Sequence, residues 1–195
     1  LITKLLPKLK TFNYVSNSSH EMFFYRTLEW KLTRFPCRTI DKIQYYEFGT
    51  GWGYTLTAFL RAASAIQDRY KLQEGWLELQ LFDSFEGLPE EKDEKDFHPE
   101  WGKNVYAFDV NYIKRKINST GFNEKIATFH KGYFEHTLTK TKKEIFITAG
   151  NQPDIVTIDC DYYSSSAEVL VFLRELLRPE TILYFDDLWS FNGDP

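Results

Sequence analysis

Apolar residues recur along this chain in two alternating periods. Residues 42–49, KIQYYEFG, form a short apolar run suited to a buried strand, and YTLTAFLRAASAIQDRY follows with Leu56, Phe59, Leu60, Ala63 and Ile66 on one helical face. The same alternation continues downstream. WLELQLFD at 76–83 reads as a second strand, 105–119 as a helix with Gly121 as its stop, and KIATFHKG at 125–132 as a third strand. A polar helix is predicted around 136–148, and PDIVTID at 153–159 is the fourth strand. SSSAEVLVFLRELLRP then reads as an amphipathic helix, with serine capping donors at its start and Pro179 beyond its end. TILYFDD at 181–187 is the fifth strand. A parallel strand needs a crossover, usually a helix, so the alternation predicts an α/β fold with a mostly parallel sheet and helices on both faces.

Two stretches fall outside this rhythm. The segment up to about residue 38 is predicted to be helical, opening near SNSSHEM, and to cap one edge of a site; residues 39–195 form the main domain. SFEGLPEEKDEKDFHPEWGK, between the second strand and the next helix, is long and charged, and reads as either a mobile lid or a disordered loop. Its run EEKDEKD at 90–96 is expected to be a solvated face. The chain stops soon after the fifth strand without a closing unit, so the last strands are expected to be missing, and Leu1 is not expected to be the true start. No repeat, low-complexity tract or second domain is visible.

Composition narrows the function classes. With 195 residues, 43% hydrophobic and 17% aromatic, the chain can bury a sizeable core as a soluble protein. No apolar run approaches the roughly 18 residues of a membrane span, and LITKLLPKLK lacks the apolar core of a secretory signal. A net charge of -4 with only short basic clusters such as KTKK disfavours nucleic acid as a partner. Cys37 and Cys160 are too few for a disulfide framework and suit a reducing, cytoplasmic setting.

YYEFGTGWGY links the first strand to its helix, the context a cofactor loop requires. Gly49, Gly51 and Gly53 let the backbone turn tightly and approach a ligand. A dinucleotide loop, G-x-G-x-x-G, would place its third glycine at position 54, which is Tyr54 here. Glu47 beside the glycines would repel a pyrophosphate and attract an ammonium, which suits a cationic, phosphate-free cofactor such as S-adenosylmethionine. Asp83, ending the second strand, could accept hydrogen bonds from ribose hydroxyls, although it lies farther away than the usual spacing of about 20 residues. Thr50 and Ser84, beside these residues, join the candidate cofactor set.

IDCDYYSSS sets Asp159 and Asp161 one residue apart at a strand end, and YFDD sets Asp186 and Asp187 at the next. In an extended chain Asp159 and Asp161 share a face, where like charges repel and need a cation, a shared proton or water. Asp186 and Asp187 can cooperate only if the chain turns there, as the following LWSFNG permits. In open parallel sheets ligands sit at the carboxyl ends of the strands, so all four can converge. An all-oxygen cluster suits a hard cation such as magnesium, which lowers the pKa of a bound hydroxyl. His130 and His136 are alternative bases, Asp161 is an alternative helix cap, and Trp101, Tyr133 and Trp189 read as packing residues rather than a stacking platform.

With EFGTGWG, FDSFEGLPE, KGYFEHTL, IDCDYYSSS and YFDDLW in this order, the chain from about Tyr46 onward resembles the macrocin O-methyltransferase family. The resemblance implies a Rossmann-like class I fold and S-adenosylmethionine-dependent methylation of sugar hydroxyls on natural products. It implies that Glu47, Gly49, Gly51 and Gly53 hold the methionine end of the cofactor and Asp83 its ribose. It further implies a divalent metal, usually Mg2+, on Asp159, Asp186 and Asp187, with Asp161 as candidate general base, so that Asp159 and Asp161 are the catalytic pair. Cys160 and Tyr162 depart from the family pattern, which has a small residue between the two aspartates and a smaller apolar residue after the second. The implied partner is a small hydroxylated acceptor, with self-association left open. Two other readings remain: an NAD-dependent oxidoreductase, and a cofactor-binding domain without turnover.

Overall fold

Strand β1 (Ile43–Phe48) is buried along its whole length, as expected of a central parallel strand covered on both faces. The computed structural model describes residues 18–34 and 42–187; Cys37, Trp189 and the LWSFNG segment lie outside the described residues. After helix α1 (Ser19–Arg34) and β1 come α2 (Tyr54–Tyr70), β2 (Leu77–Asp83), α3 (Val110–Ser119) and β3 (Ala127–Lys131). They are followed by α4 (Phe134–Thr137), α5 (Lys140–Thr148), β4 (Ile155–Ile158), α6 (Tyr163–Leu173) and β5 (Ile182–Phe185). The sheet runs β3-β2-β1-β4-β5 with every pair parallel. Among the described residues no helix is long and apolar enough to cross a membrane.

Side-chain alternation along β1 divides the core. Tyr45 joins Phe24 and Leu28 of α1, Phe59 of α2 and Ile113 of α3 on one face. Tyr46 and Phe48 join Phe146 of α5 and Phe172 of α6 on the other. Tyr45 stacks on Phe59 at 3.8 Å between ring centroids, and Phe48 on Phe82 at 4.6 Å, so aromatic pairs hold both layers. Helix α1 is also seated electrostatically: Lys31, 3% exposed, donates to the Glu180 carbonyl and lies 3.6 Å from Asp154. Asp154 in turn accepts from Arg178 and from the Gln44 backbone, tying α1 to the sheet.

Four elements differ from the pattern reading. Helix α3 starts at Val110 because Asp109 caps it, accepting from Asn111 N, while Val105 is used in loop pairing. The single helix expected around 136–148 is two, α4 and α5, because Thr139 opens the second one as its cap. Helix α6 ends at Leu173 and carries no cap from its own serines; Asp96, from the distant charged loop, accepts from Ser164 N and Oγ instead. Strand β4 stops at Ile158, so extended-chain alternation does not govern Asp159 and Asp161.

The β1 and β4 tips meet at Gly49, whose φ is +80° and where an added Cβ would stand 1.7 Å from the Asp159 carbonyl oxygen. Gly49→Ala is therefore expected to lose roughly 3 kcal/mol or more of stability, from left-handed strain plus a backbone clash. Denaturant titration should show this as a lowered midpoint with an unchanged slope.

Candidate active site

All strands are parallel, so their carboxyl ends share one side of the sheet, where a cavity of about 230 Å³ opens. Of the residues expected to hold a cofactor, Gly49, Thr50, Gly51, Asp83 and Ser84 line it; Glu47 and Gly53 do not. Gly53, at φ +66°, begins α2 and packs against α3, since a Cβ there would lie 3.3 Å from Ile113 Cδ1. At Gly51, φ +43°, a Cβ would meet nothing within 4 Å, so this turn presents its backbone to open space. Among the described residues Thr50 Oγ1, buried beside it, has no hydrogen-bond partner.

Glu47 is fully buried. Burial pushes its carboxyl well above the usual range, the Tyr45 hydroxyl that donates to Oε2 acts against this, and the charges of Asp159, Asp83 and Asp186 raise it further. Its Oε1 has no hydrogen-bond partner among the described residues. Asp83 also organises the fold: Oδ2 accepts from Thr50 N at 2.6 Å and Gly51 N at 2.9 Å, and Oδ1 accepts from Phe85 N at 2.6 Å. This carboxylate tethers the glycine loop to the tip of β2.

Asp159, Asp186 and Asp187 come together, each offering a carboxylate oxygen within 4.8 Å of the others. Register explains it: Ile158 pairs with Phe185, which places Asp159 beside Asp186, and the chain bends at 186–187. Thr55 Oγ1, in the first turn of α2, donates to Asp159 Oδ2 at 2.9 Å. Burial, then the charges of Asp186 and Asp187, hold the Asp159 carboxyl well above the usual range. Asp161 lies outside this trio but lines the same cavity. Its backbone takes φ +60°, a conformation aspartate tolerates better than most residues. Burial, then the charges of Asp187, Asp186 and Asp83, raise its carboxyl to about 7. Crowded carboxyls of this kind repel one another, and a held proton or a nearby positive charge relieves the repulsion.

The charged loop covers the cavity. Gly87, Leu88, Pro89, Lys92 and Tyr106 line it, and Leu88 pairs with Asn104 and Val105 through backbone hydrogen bonds. The run at 90–96 is not simply a solvated face. Asp96 is fully buried at the start of α6, and although burial alone would raise its carboxyl, donors from Ser164, Lys92 and Asp93 hold it below the usual range. Lys92 bridges Glu135 at 2.8 Å and Glu168 at 3.0 Å.

His130 stands outside the cavity wall, stacked on Phe82 and 2.8 Å from Gln80 Oε1, with Nδ1 facing Lys142 Nζ at 3.1 Å. His136 is exposed and pairs with its neighbour Glu135. Tyr133 lines the cavity, whereas Trp101 stacks on His98. Sequence pattern does not mark Thr55, Lys92, Tyr106, Glu168 or the exposed Trp52 as site residues, and it marks Tyr54 only as a break in the dinucleotide motif. Of these, only Thr55 carries a usable signal, its place in the first helical turn after the glycines.

The family described as Macrocin-O-methyltransferase (TylF) matches residues 54–193 of this chain. The match begins just after the glycine loop and includes every candidate aspartate. Among solved structures, one entitled "Crystal Structure of CalS11, Calicheamicin Methyltransferase" is 18% identical with a TM-score of 0.60, covering 92% of this chain and 83% of that one. The O-methyltransferase NovP is 14% identical with a TM-score of 0.59, covering 89% and 66%. A further structure, of "CalS11, TDP-rhamnose 3'-o-methyltransferase", is 18% identical with a TM-score of 0.50, covering 96% and 87%. No curated protein matches. At such identities the structural likeness establishes the fold, a Rossmann-like α/β sheet.

Burial, then the Lys142 charge, lowers the His130 pKa to about 4, below an unfolded value of about 6.5. The unfolded chain therefore binds the proton first, and stability present above pH 6.5 is lost as pH falls toward 4. In urea titrations, His130→Gln is expected to show a shallower fall across this window than the wild type.

Proposed function

The chain belongs to the macrocin O-methyltransferase family, and on that premise we propose that it transfers the methyl group of S-adenosylmethionine to a hydroxyl of a sugar or other polyol, with a divalent cation such as Mg2+ assisting. The observation that carries this reading is the meeting of three carboxylates, Asp159, Asp186 and Asp187, beside a cavity bordered by a glycine loop. An all-oxygen donor set of this charge fits a hard cation. When bound, such a cation polarises a hydroxyl and favours its alkoxide. S-adenosylmethionine supplies an electrophilic methyl on a sulfonium, and a cavity lined by Asp83, Asp159, Asp161, Glu168 and Asp186 suits that positive charge. The neighbour CalS11, described as a calicheamicin methyltransferase in one structure and as a TDP-rhamnose 3'-O-methyltransferase in another, supports a sugar acceptor.

Each side chain has a task in this scheme. Asp159, fixed by Thr55, and the two aspartates after β5 hold the cation. Asp161 accepts the hydroxyl proton: it faces the cavity, stands outside the trio, and receives no hydrogen bond among the described residues. Gly51 and Thr50 border the cofactor, with Asp83 holding their loop in shape. Trp52, Tyr54 and Tyr106 line the cavity with aromatic faces suited to the C–H surface of a sugar. Helix α1 closes one edge, where His20 reaches Asp186. The low cysteine content supports a cytoplasmic setting. Binding of NAD is disfavoured because the Thr50 and Gly51 amides, which a pyrophosphate would need, are committed to the Asp83 carboxylate.

Calorimetric titration is expected to show binding of S-adenosylmethionine and not of NAD, and methyl transfer to a panel of glycosides should fall on chelation. Asp159→Asn is expected to weaken Mg2+ dependence. Asp161→Asn is expected to lose roughly 100-fold or more in kcat while cofactor and cation still bind. Failure to bind S-adenosylmethionine would sink the proposal.

A further inference from the structure

The three carboxylates of the candidate cation site are not held alike. Asp159 and Asp187 are half-buried, whereas Asp186 is exposed and stands in the bend after β5. Packing alone leaves such a side chain free to change rotamer, and a cation ligand that samples several rotamers weakens the site by the entropy of ordering it.

Two donors act on Asp186. The Tyr184 hydroxyl, two residues upstream on β5, donates to Oδ1 at 2.9 Å. His20, 166 positions away in the first turn of α1, donates its Nε2–H to the same oxygen at 3.2 Å. A carboxylate oxygen offers about two acceptor positions, so Oδ1 is filled and Oδ2 keeps its capacity for a cation. His20 is itself placed by its surroundings. Its ring stands edge-on to Tyr54 at 5.4 Å and to Tyr184 at 5.9 Å, and Tyr54 lines the cavity. Phe24 and Leu28, fully buried, and Lys31 against Asp154 and Glu180 fix the helix that carries it.

The geometry points to His20 and Tyr184 as positioning residues that hold Asp186 Oδ1 and turn Oδ2 toward the cation, which makes α1 part of the cation site. This rests on the metal reading proposed above. Hydrogen bonds of this kind orient a ligand and maintain its basicity, and their loss typically costs about 10- to 100-fold in metal affinity. Tyr184 acts within its own strand. His20 instead couples cation affinity to the docking of the N-terminal helix.

The test is calorimetric titration of the full chain with Mg2+ and with Mn2+, alongside thermal melting in chelator. Tyr184→Phe, which removes one oxygen and keeps the ring, and His20→Leu are each expected to weaken cation binding roughly tenfold. His20→Gln, which keeps an N–H donor, is expected to bind nearly as the wild type does, and all three should melt in chelator as the wild type does. Unchanged cation affinity in Tyr184→Phe and His20→Leu overturns this inference while leaving the metal reading intact. So does a His20→Gln variant as weak as His20→Leu, since the contact would then be packing rather than hydrogen bonding. A wild type that binds neither cation overturns both.

Discussion

Between β1 and β4 the sheet has almost no room to spare, and the site is built on that closeness. The sheet order reverses at this junction, which is where open parallel sheets form their ligand crevice. Gly49 N donates to the Phe82 carbonyl on one side, and Asp159 N donates to the Phe48 carbonyl on the other. The tips of β2, β1 and β4 are thereby laced together, and the missing side chain at Gly49 lets the Asp159 backbone lie against the loop. The glycine loop and the acid cluster thus border one cavity.

That closeness imposes an electrostatic cost. Among the described residues five carboxylates line the cavity, and the one lysine, Lys92, already bridges two glutamates. The fold satisfies only some of these acids. Asp83 receives three backbone donors, whereas Asp159 receives one hydroxyl. Burial, and then the charges of Asp186 and Asp187, hold the Asp159 and Asp161 carboxyls above their usual range. The imbalance has a direction: it disfavours anionic ligands and favours positive charge.

Distant segments complete the site. Asp96 reaches from the covering loop to cap α6, the helix that carries Ser165 and Glu168 into the cavity wall. His20 reaches from α1 to the far edge. Both contacts bring a side chain to a backbone or carboxylate group that its own element leaves exposed, which ties the order of the cover and of the N-terminal helix to the order of the centre.

Much of this was legible in the sequence. The apolar runs at 42–49 and 76–83, and the helical face of Leu56, Phe59 and Ile66, located β1, β2 and α2, because burial on both sheet faces or on one helix stripe leaves a local periodic signal. The aspartates at the two strand ends were visible as a candidate cation site because motif spacing is local too. Boundaries set by caps were less legible. Asp109 and Thr139 decide where α3 and α5 begin, yet many such residues in the chain could serve as caps. The sequence by itself determined the alternation of elements, the glycine turn and the supply of carboxylates. Only the tertiary structure decided that Asp83 serves the loop, that Glu47 is sealed beneath it, that Asp161 stands apart from the trio, and that Asp96 and His20 act on partners 68 and 166 positions away. Such contacts depend on strand register and helix docking, which no local pattern encodes.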